Sequence, residues 1–122
     1  MGGSLPALIG ARIGRPDAPC LGICGDGGLL MALGEYCTLL EVGGPCVLVV
    51  INDGGFGIIE RFQIDQYGTG FATRLGPTDF AAIARGFSGR AQVVSDPQEL
   101  DAALPEAFSI SLRTAATYLK SY

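Results

Sequence analysis

The sequence predicts an α/β fold: an open parallel sheet with helices on both faces. Three observations lead there. Leu21-Gly22-Ile23-Cys24 and residues 46–51 are short apolar runs of strand length, the second an unbroken Val/Leu/Ile stretch as expected of a strand covered on both faces. The segments around them carry apolar residues at helical spacing. Strand and helix then alternate along the chain, the order of a parallel sheet. A chain of 122 residues suits one core.

The elements follow in order. Residues 5–13 read as a short helix stopped at Gly14, with a turn in Arg15-Pro16-Asp17-Ala18-Pro19. Residues 20–24 form the first strand. Residues 29–41 read as one helix with Leu30, Leu33, Tyr36, Cys37 and Leu40 on one face, broken by Gly43-Gly44-Pro45. Residues 46–51 are the second strand, 52–57 a loop, and 58–63 the start of a helix. Residues 66–77 show no period and read as loop. Thr78 is placed to cap a helix over 79–86, whose stripe is Phe80, Ile83, Ala84 and Phe87. Residues 91–94 are a third strand, and Ser95 or Asp96 caps a helix over 97–108 with Pro97 in its first turn. No internal repeat or low-complexity tract interrupts this order.

Composition narrows the function classes. Hydrophobic residues are 48% and charged residues 16%, more apolar than a free-standing domain, so part of the surface is expected to lie under another domain or subunit. The formal net charge is −4 and no basic run exists, which argues against nucleic acid as a partner. No apolar run approaches the ~20 residues of a membrane span, and the start lacks the pattern of a signal peptide. Cys20, Cys24, Cys37 and Cys46 match no zinc spacing and there is no His, so the thiols read as packing residues, reduced, in a cytoplasmic protein.

The chemistry gathers at two glycine-rich turns. Gly25-Asp26-Gly27-Gly28 follows the first strand and Asn52-Asp53-Gly54-Gly55 follows the second. Strand ends of an open parallel sheet meet at one edge, where ligands bind. Taken alone, the first turn is equally a plain strand-to-helix turn with Asp26 as a helix cap. The second changes the balance, because a right-handed crossover sets the two strand ends side by side. Two acids there would repel a phosphate unless a cation lies between them, and Mg²⁺ bridges carboxylate to phosphate oxygens. The carbonyl of Gly55 is available as a third ligand, and the glycines let a phosphate approach the backbone.

At this point the residues match a family. Gly25-Asp26-Gly27 followed by Asn52-Asp53 resembles the thiamine diphosphate signature, Gly-Asp-Gly and later Asn-Asn or a close variant. Met1-Gly2-Gly3-Ser4-Leu5-Pro6-Ala7-Leu8-Ile9-Gly10-Ala11, Asn52-Asp53-Gly54-Gly55-Phe56-Gly57 and Thr78-Asp79-Phe80-Ala81-Ala82-Ile83-Ala84-Arg85-Gly86-Phe87 resemble the flanking segments of the same family. The likeness is strongest to the diphosphate-binding domains of acetolactate synthase-like and benzoylformate decarboxylase-like enzymes.

The resemblance implies the thiamine diphosphate-binding fold of the diphosphate (PP) type, over residues 1–108, with 109–122 as an atypical tail. It implies thiamine diphosphate and Mg²⁺ as cofactors, with Asp26, Asp53 and the Gly55 carbonyl on the metal. Gly25, Gly27 and Gly28 would line the diphosphate, and Phe56, Gly57 and Ile58 would lie along the cofactor. Met1 is either a start residue or the apolar side chain under the cofactor rings. The family often has Asn where Asp53 stands. Phe62 replaces the tryptophan of biosynthetic acetolactate synthases, which speaks against that assignment, and Arg61 is a surface residue or a carboxylate binder.

The family's catalytic glutamate comes from a pyrimidine-binding domain that this sequence does not contain, so that domain or subunit is the expected partner, in a homo- or hetero-oligomer. The implied activity is that of a 2-oxo-acid decarboxylase and carboligase, with no catalytic residue in this chain and little or no turnover alone. A non-catalytic cofactor-binding subunit or a remnant is the alternative. A flavodoxin- or nucleotide-type phosphate binder would need a signature that is missing. The chain opens in the middle of a motif and its end departs from the family pattern, with residues 108–113 a weak match to its closing strand; a truncated gene, a separated subunit or a fragment with a shifted tail would each fit.

Overall fold

The computed structural model describes residues 1–109 and the backbone of 115–120. Four parallel strands form one sheet in the order β1-β2-β4-β3: β1 Cys20–Gly25, β2 Cys46–Asn52, β3 Arg90–Val94 and β4 Ala115–Lys120. The helices are α1 Ser4–Gly14, α2 Asp26–Leu30, α3 Tyr36–Val42, α4 Gly57–Tyr67, α5 Phe80–Gly86 and α6 Pro97–Ser109. The expected α/β class with helices on both sides is what the chain adopts.

The alternation of side chains along β2 explains the two layers. Cys46, Leu48 and Val50 face one way and join Leu5, Leu8, Leu29, Tyr36, Leu39 and Phe80 in the larger core. Val47 and Val49 face the other way, onto Ala107 and the flanking Leu104 and Phe108 of α6. Five consecutive residues of β2 are therefore buried, as its unbroken apolar run requires.

Three expectations change. The helix over 29–41 is split into α2, a 3-10 turn Leu33–Glu35, and α3. The break resets the helical phase, so Leu39 is fully buried while Cys37 is exposed. Asp79, not Thr78, caps α5, its side chain accepting from Ala82 N–H at 2.8 Å. The sheet also runs past residue 108. β4 lies between β2 and β3, pairing Val47 with Ala115 and Arg90 with Ala115, so part of the expected tail is a central strand. Of the weak closing-strand match over 108–113, the first two residues end α6 and the remainder lies outside the described residues. At α6 the cap is Asp96, which accepts from Glu99 N–H, while Glu99 accepts from Ser95 N–H.

Arg12 secures the edge of the sheet where β1 and β2 begin. Its guanidinium donates to the Gly43 carbonyl at 2.9 Å and the Pro16 carbonyl at 2.7 Å, tying α1 to the turns that lead into both strands. Gly44 has φ +88°, and a side chain there would run into that guanidinium. Gly44→Ala is expected to lower stability by roughly 2 kcal/mol through backbone strain and displacement of Arg12, read from the urea midpoint.

Burial also raises three acids. The thiols of Cys24 and Cys46 are pushed up to about 11 and the Tyr36 hydroxyl to about 12, from ordinary values of 9.0 and 10.0. The folded state thus holds protons that the unfolded chain releases earlier. Their contribution is complete below pH 9 and is lost as pH rises through the folded values of about 11 and 12. The urea midpoint should stay level up to about pH 9 and then fall as the pH is raised towards 12.

Candidate functional site

The C-terminal ends of β1 and β2 are register neighbours, with Cys24 opposite Val50 and Gly25 opposite Ile51. The two glycine-rich turns therefore emerge together, as their spacing predicts. They open onto a cleft of about 720 Å³, lined also by the start of α1 and the first turn of α4. Every residue named from the sequence as cofactor- or metal-binding faces it: Met1, Gly25, Asp26, Gly27, Gly28, Asp53, Gly55, Phe56, Gly57 and Ile58.

Asp26 connects the two turns. It is 1% exposed, and its carboxylate accepts Gly27 N–H at 2.7 Å through Oδ1, and Gly54 N–H at 2.9 Å and Gly55 N–H at 3.1 Å through Oδ2. A buried carboxylate without such donors would carry a large desolvation cost. Of about four acceptor positions on a carboxylate, three are used, leaving one for a ligand. Asp53 is exposed, and its Oδ2 stands 2.6 Å from where a side chain on Gly57 would begin, so the carboxylate lies against the start of α4.

Gly27 lines the cleft and also has a packing role. A side chain there would start 2.5 Å from the Phe56 ring. The missing side chain admits Phe56 and locks one turn against the other. Residues 66–77, read as a featureless loop, supply a second lock. Gly55 bridges Arg74 in antiparallel fashion, Phe56 N–H donates to the Thr73 carbonyl at 2.8 Å, and Leu75 N–H donates to the Gly54 carbonyl at 2.9 Å. Thr73 is 4% exposed. Its burial has no periodic signature and could not be read from the chain.

Other expectations shift in detail. The helix after Gly25 opens at Asp26 rather than at residue 29 and is only five residues long, so backbone contact rather than a long helix dipole is what it offers a phosphate. Met1 is 82% exposed at the cleft rim. Cys24 and Ile59 also line the cleft and were not singled out; Cys24's place two residues before Asp26 was the available signal. Arg61 pairs with Asp65 on the outer surface of α4, at 3.2 Å, and does not line the cleft. Among the described residues no three Cys, Asp or Glu side chains converge as a metal cluster.

Removing the Asp26 carboxylate strips three backbone N–H groups, those of Gly27 and Gly55 buried and that of Gly54 partly so, of their acceptor. Asp26→Ala is expected to cost about 2–4 kcal/mol in the metal-free protein. It should also speed hydrogen exchange at the Gly54 and Gly55 amides, measured by NMR, while leaving amides in β3 unchanged.

The comparisons agree with this geometry. Residues 1–117 match the model of the family described as thiamine pyrophosphate enzyme, C-terminal TPP binding domain. The acetolactate synthase large subunit of Haemophilus influenzae is 30% identical over 112 residues, covering 90% of this chain and 20% of that protein. The 3D-(3,5/4)-trihydroxycyclohexane-1,2-dione hydrolase of Lacticaseibacillus casei is 32% identical over 114 residues, covering 88% of this chain and 18% of that protein. The structure of a thiamine diphosphate-dependent 4-hydroxybenzoylformate decarboxylase from Rhodococcus jostii RHA1 superposes with a TM-score of 0.89 at 22% identity, over 99% of this chain and 23% of that one, which shows a shared fold. The chain spans about a fifth of the length of these curated relatives. It belongs to the C-terminal thiamine pyrophosphate-binding domain family of thiamine pyrophosphate enzymes, whose cofactor is thiamine diphosphate.

Proposed function

We propose that this chain holds thiamine diphosphate through Mg²⁺, with Asp26, Asp53 and the Gly55 carbonyl on the metal, and that it contributes this half of the active site of a 2-oxo-acid decarboxylase or carboligase. The observation that carries the reading is that Asp26, Asp53 and Gly55 all line one glycine-floored cleft. Its volume of about 720 Å³ is within the range of cofactor sites. Hard oxygen donors and few protein ligands suit Mg²⁺, which keeps the rest of its sphere for phosphate and water. No side chain stands between Gly28 and the cleft: the nearest atom to a side chain placed there is the Gly2 nitrogen at 4.0 Å. The residues fit the group.

When bound, the cofactor supplies the carbanion chemistry at its thiazolium ring, and the protein supplies position and electrostatics. Asp26 fixes the two turns and offers its remaining lone pair. Asp53 adds a full negative charge where an amide would leave the site less negative, strengthening attraction for the cation. Met1, Ile58 and Ile59 give the cleft an apolar rim that excludes water once covered.

Proton transfer points outside the chain. Cys24, Asp26 and Asp53 are the titratable side chains among the described residues lining the cleft. Asp26 is spent on backbone N–H groups, Asp53 on the metal in this reading, and burial pushes Cys24 up to about 11. None is a spare acid or base near neutrality. This favours a glutamate delivered by a pyrimidine-binding domain or subunit, and a lone chain that binds cofactor without turnover. The exposed apolar residues beside the cleft, Met1 at 82%, Ile58 at 75% and Phe62 at 67%, supply a surface for such a partner. No helix among the described residues is long and apolar enough to cross a membrane. The relatives' names cover a synthase, a hydrolase and a decarboxylase, so membership of the family does not by itself fix the substrate.

Titration calorimetry tests the reading. Thiamine diphosphate should bind with Mg²⁺ and lose affinity in a chelator. Asp53→Ala, at an exposed position, should fold normally and bind at least tenfold more weakly, about 1.4 kcal/mol. Equal binding by Asp53→Ala and the parent chain would overturn the metal assignment.

A further inference from the structure

We propose that Cys20 and Cys46 form a reversible disulfide, a modification site at the edge of the sheet away from the cofactor cleft. The two residues are register partners at the first position of β1 and β2, so their side chains leave the same face of the sheet. Both belong to the same buried cluster. Neighbouring strands run about 4.8 Å apart, within the Cα separation a disulfide spans. The Cys20 thiol lies close enough to Cys46 for its charge and hydrogen bonding to act on it. Its own Sγ donates to the Ala18 carbonyl at 3.6 Å, within the turn that leads into β1.

The other cysteines lack this arrangement. Cys24 shares the face but stands opposite Val50. Cys37 lies on α3 and is exposed. Cys20 opens β1, an edge strand, directly after the exposed residues Pro16, Asp17 and Pro19, which gives a small reagent a route. Burial holds the Cys46 thiol up at about 11, and the Arg12 guanidinium, held over the same turns, offsets only part of that rise.

The oxidant is a low-molecular-weight disulfide such as oxidised glutathione. The Cys20 thiol gives up its proton and its sulfur attacks one sulfur of the reagent, expelling one thiolate. The deprotonated Cys46 sulfur then attacks Cys20 Sγ in the mixed disulfide and expels the second. Two protein thiols lose two protons and two electrons in total, and the reagent is reduced to two thiols. The bond ties together the starts of the two strands whose far ends carry Asp26 and Asp53, closing a loop around the whole first βαβ unit.

The test uses the full chain with Cys37→Ser, which removes the exposed thiol. After oxidised glutathione, thiols counted under denaturing conditions should fall from three to one. Intact mass should drop by two hydrogens with no adduct, and peptide mapping should link Cys20 to Cys46. Tm should rise by roughly 5 °C or more, and dithiothreitol should reverse every change. Adding Cys46→Ser should replace the link by a glutathione adduct or by unreacted thiol. Three remaining thiols in the parent, a lasting adduct there, or a link mapping to Cys24 would each overturn the proposal.

Discussion

One buried carboxylate organises the cleft. Asp26 is withdrawn from solvent at the end of β1 and accepts three backbone N–H groups, two of them from the turn that follows β2. A charge in that position is tolerable only because the backbone supplies its solvation. The converse also holds. The turn after Asn52 has no regular secondary structure to satisfy its amides, and the carboxylate does so. Both turns are thus set before any ligand arrives, and the cost of ordering them belongs to folding rather than to cofactor binding.

The fold delivers this contact through register. β1 and β2 pair in parallel with Gly25 beside Ile51, which brings the two turns within reach of a single side chain. The Phe56 ring over Gly27 and the Gly55–Arg74 bridge hold the second turn from its other sides. At the opposite edge Arg12 does comparable work with the polarity reversed: a cation satisfying carbonyls, where Asp26 is an anion satisfying amides. Each end of the β1–β2 pair is thereby closed by one charged side chain bonded to backbone.

Much of this was legible in the chain. The unbroken run of β2, the two glycine-rich turns and their interval led to a parallel pair and a shared site, because these features depend on local pattern and on a handedness rule that admits few alternatives. The break between α2 and α3 was hidden, since its apolar residues still suit one continuous helix and tertiary packing selects Leu39 over Cys37. β4 was hidden for a related reason: Ala115–Lys120 lacks the bulky β-branched run of β2, and its place at the centre of the sheet is dictated by neighbours distant in sequence. The role of Thr73 and Arg74 depends on a non-local bridge, which no spacing rule reports.

Helix α4 has a further consequence. It borders the cleft, yet none of its eleven residues is buried, and Glu60–Arg74 is an ion pair between it and the following loop. Side chains that support no core can be exchanged at little thermodynamic penalty, since surface replacements usually change stability by no more than about 0.5 kcal/mol. The wall of the cleft formed by Ile58 and Ile59 is therefore tolerant of substitution in a way that Asp26 and its amides are not. Replacements in that wall leave the Asp26 contacts with the Gly27, Gly54 and Gly55 amides untouched, so the shape of the cleft mouth and the stability of the domain are separable.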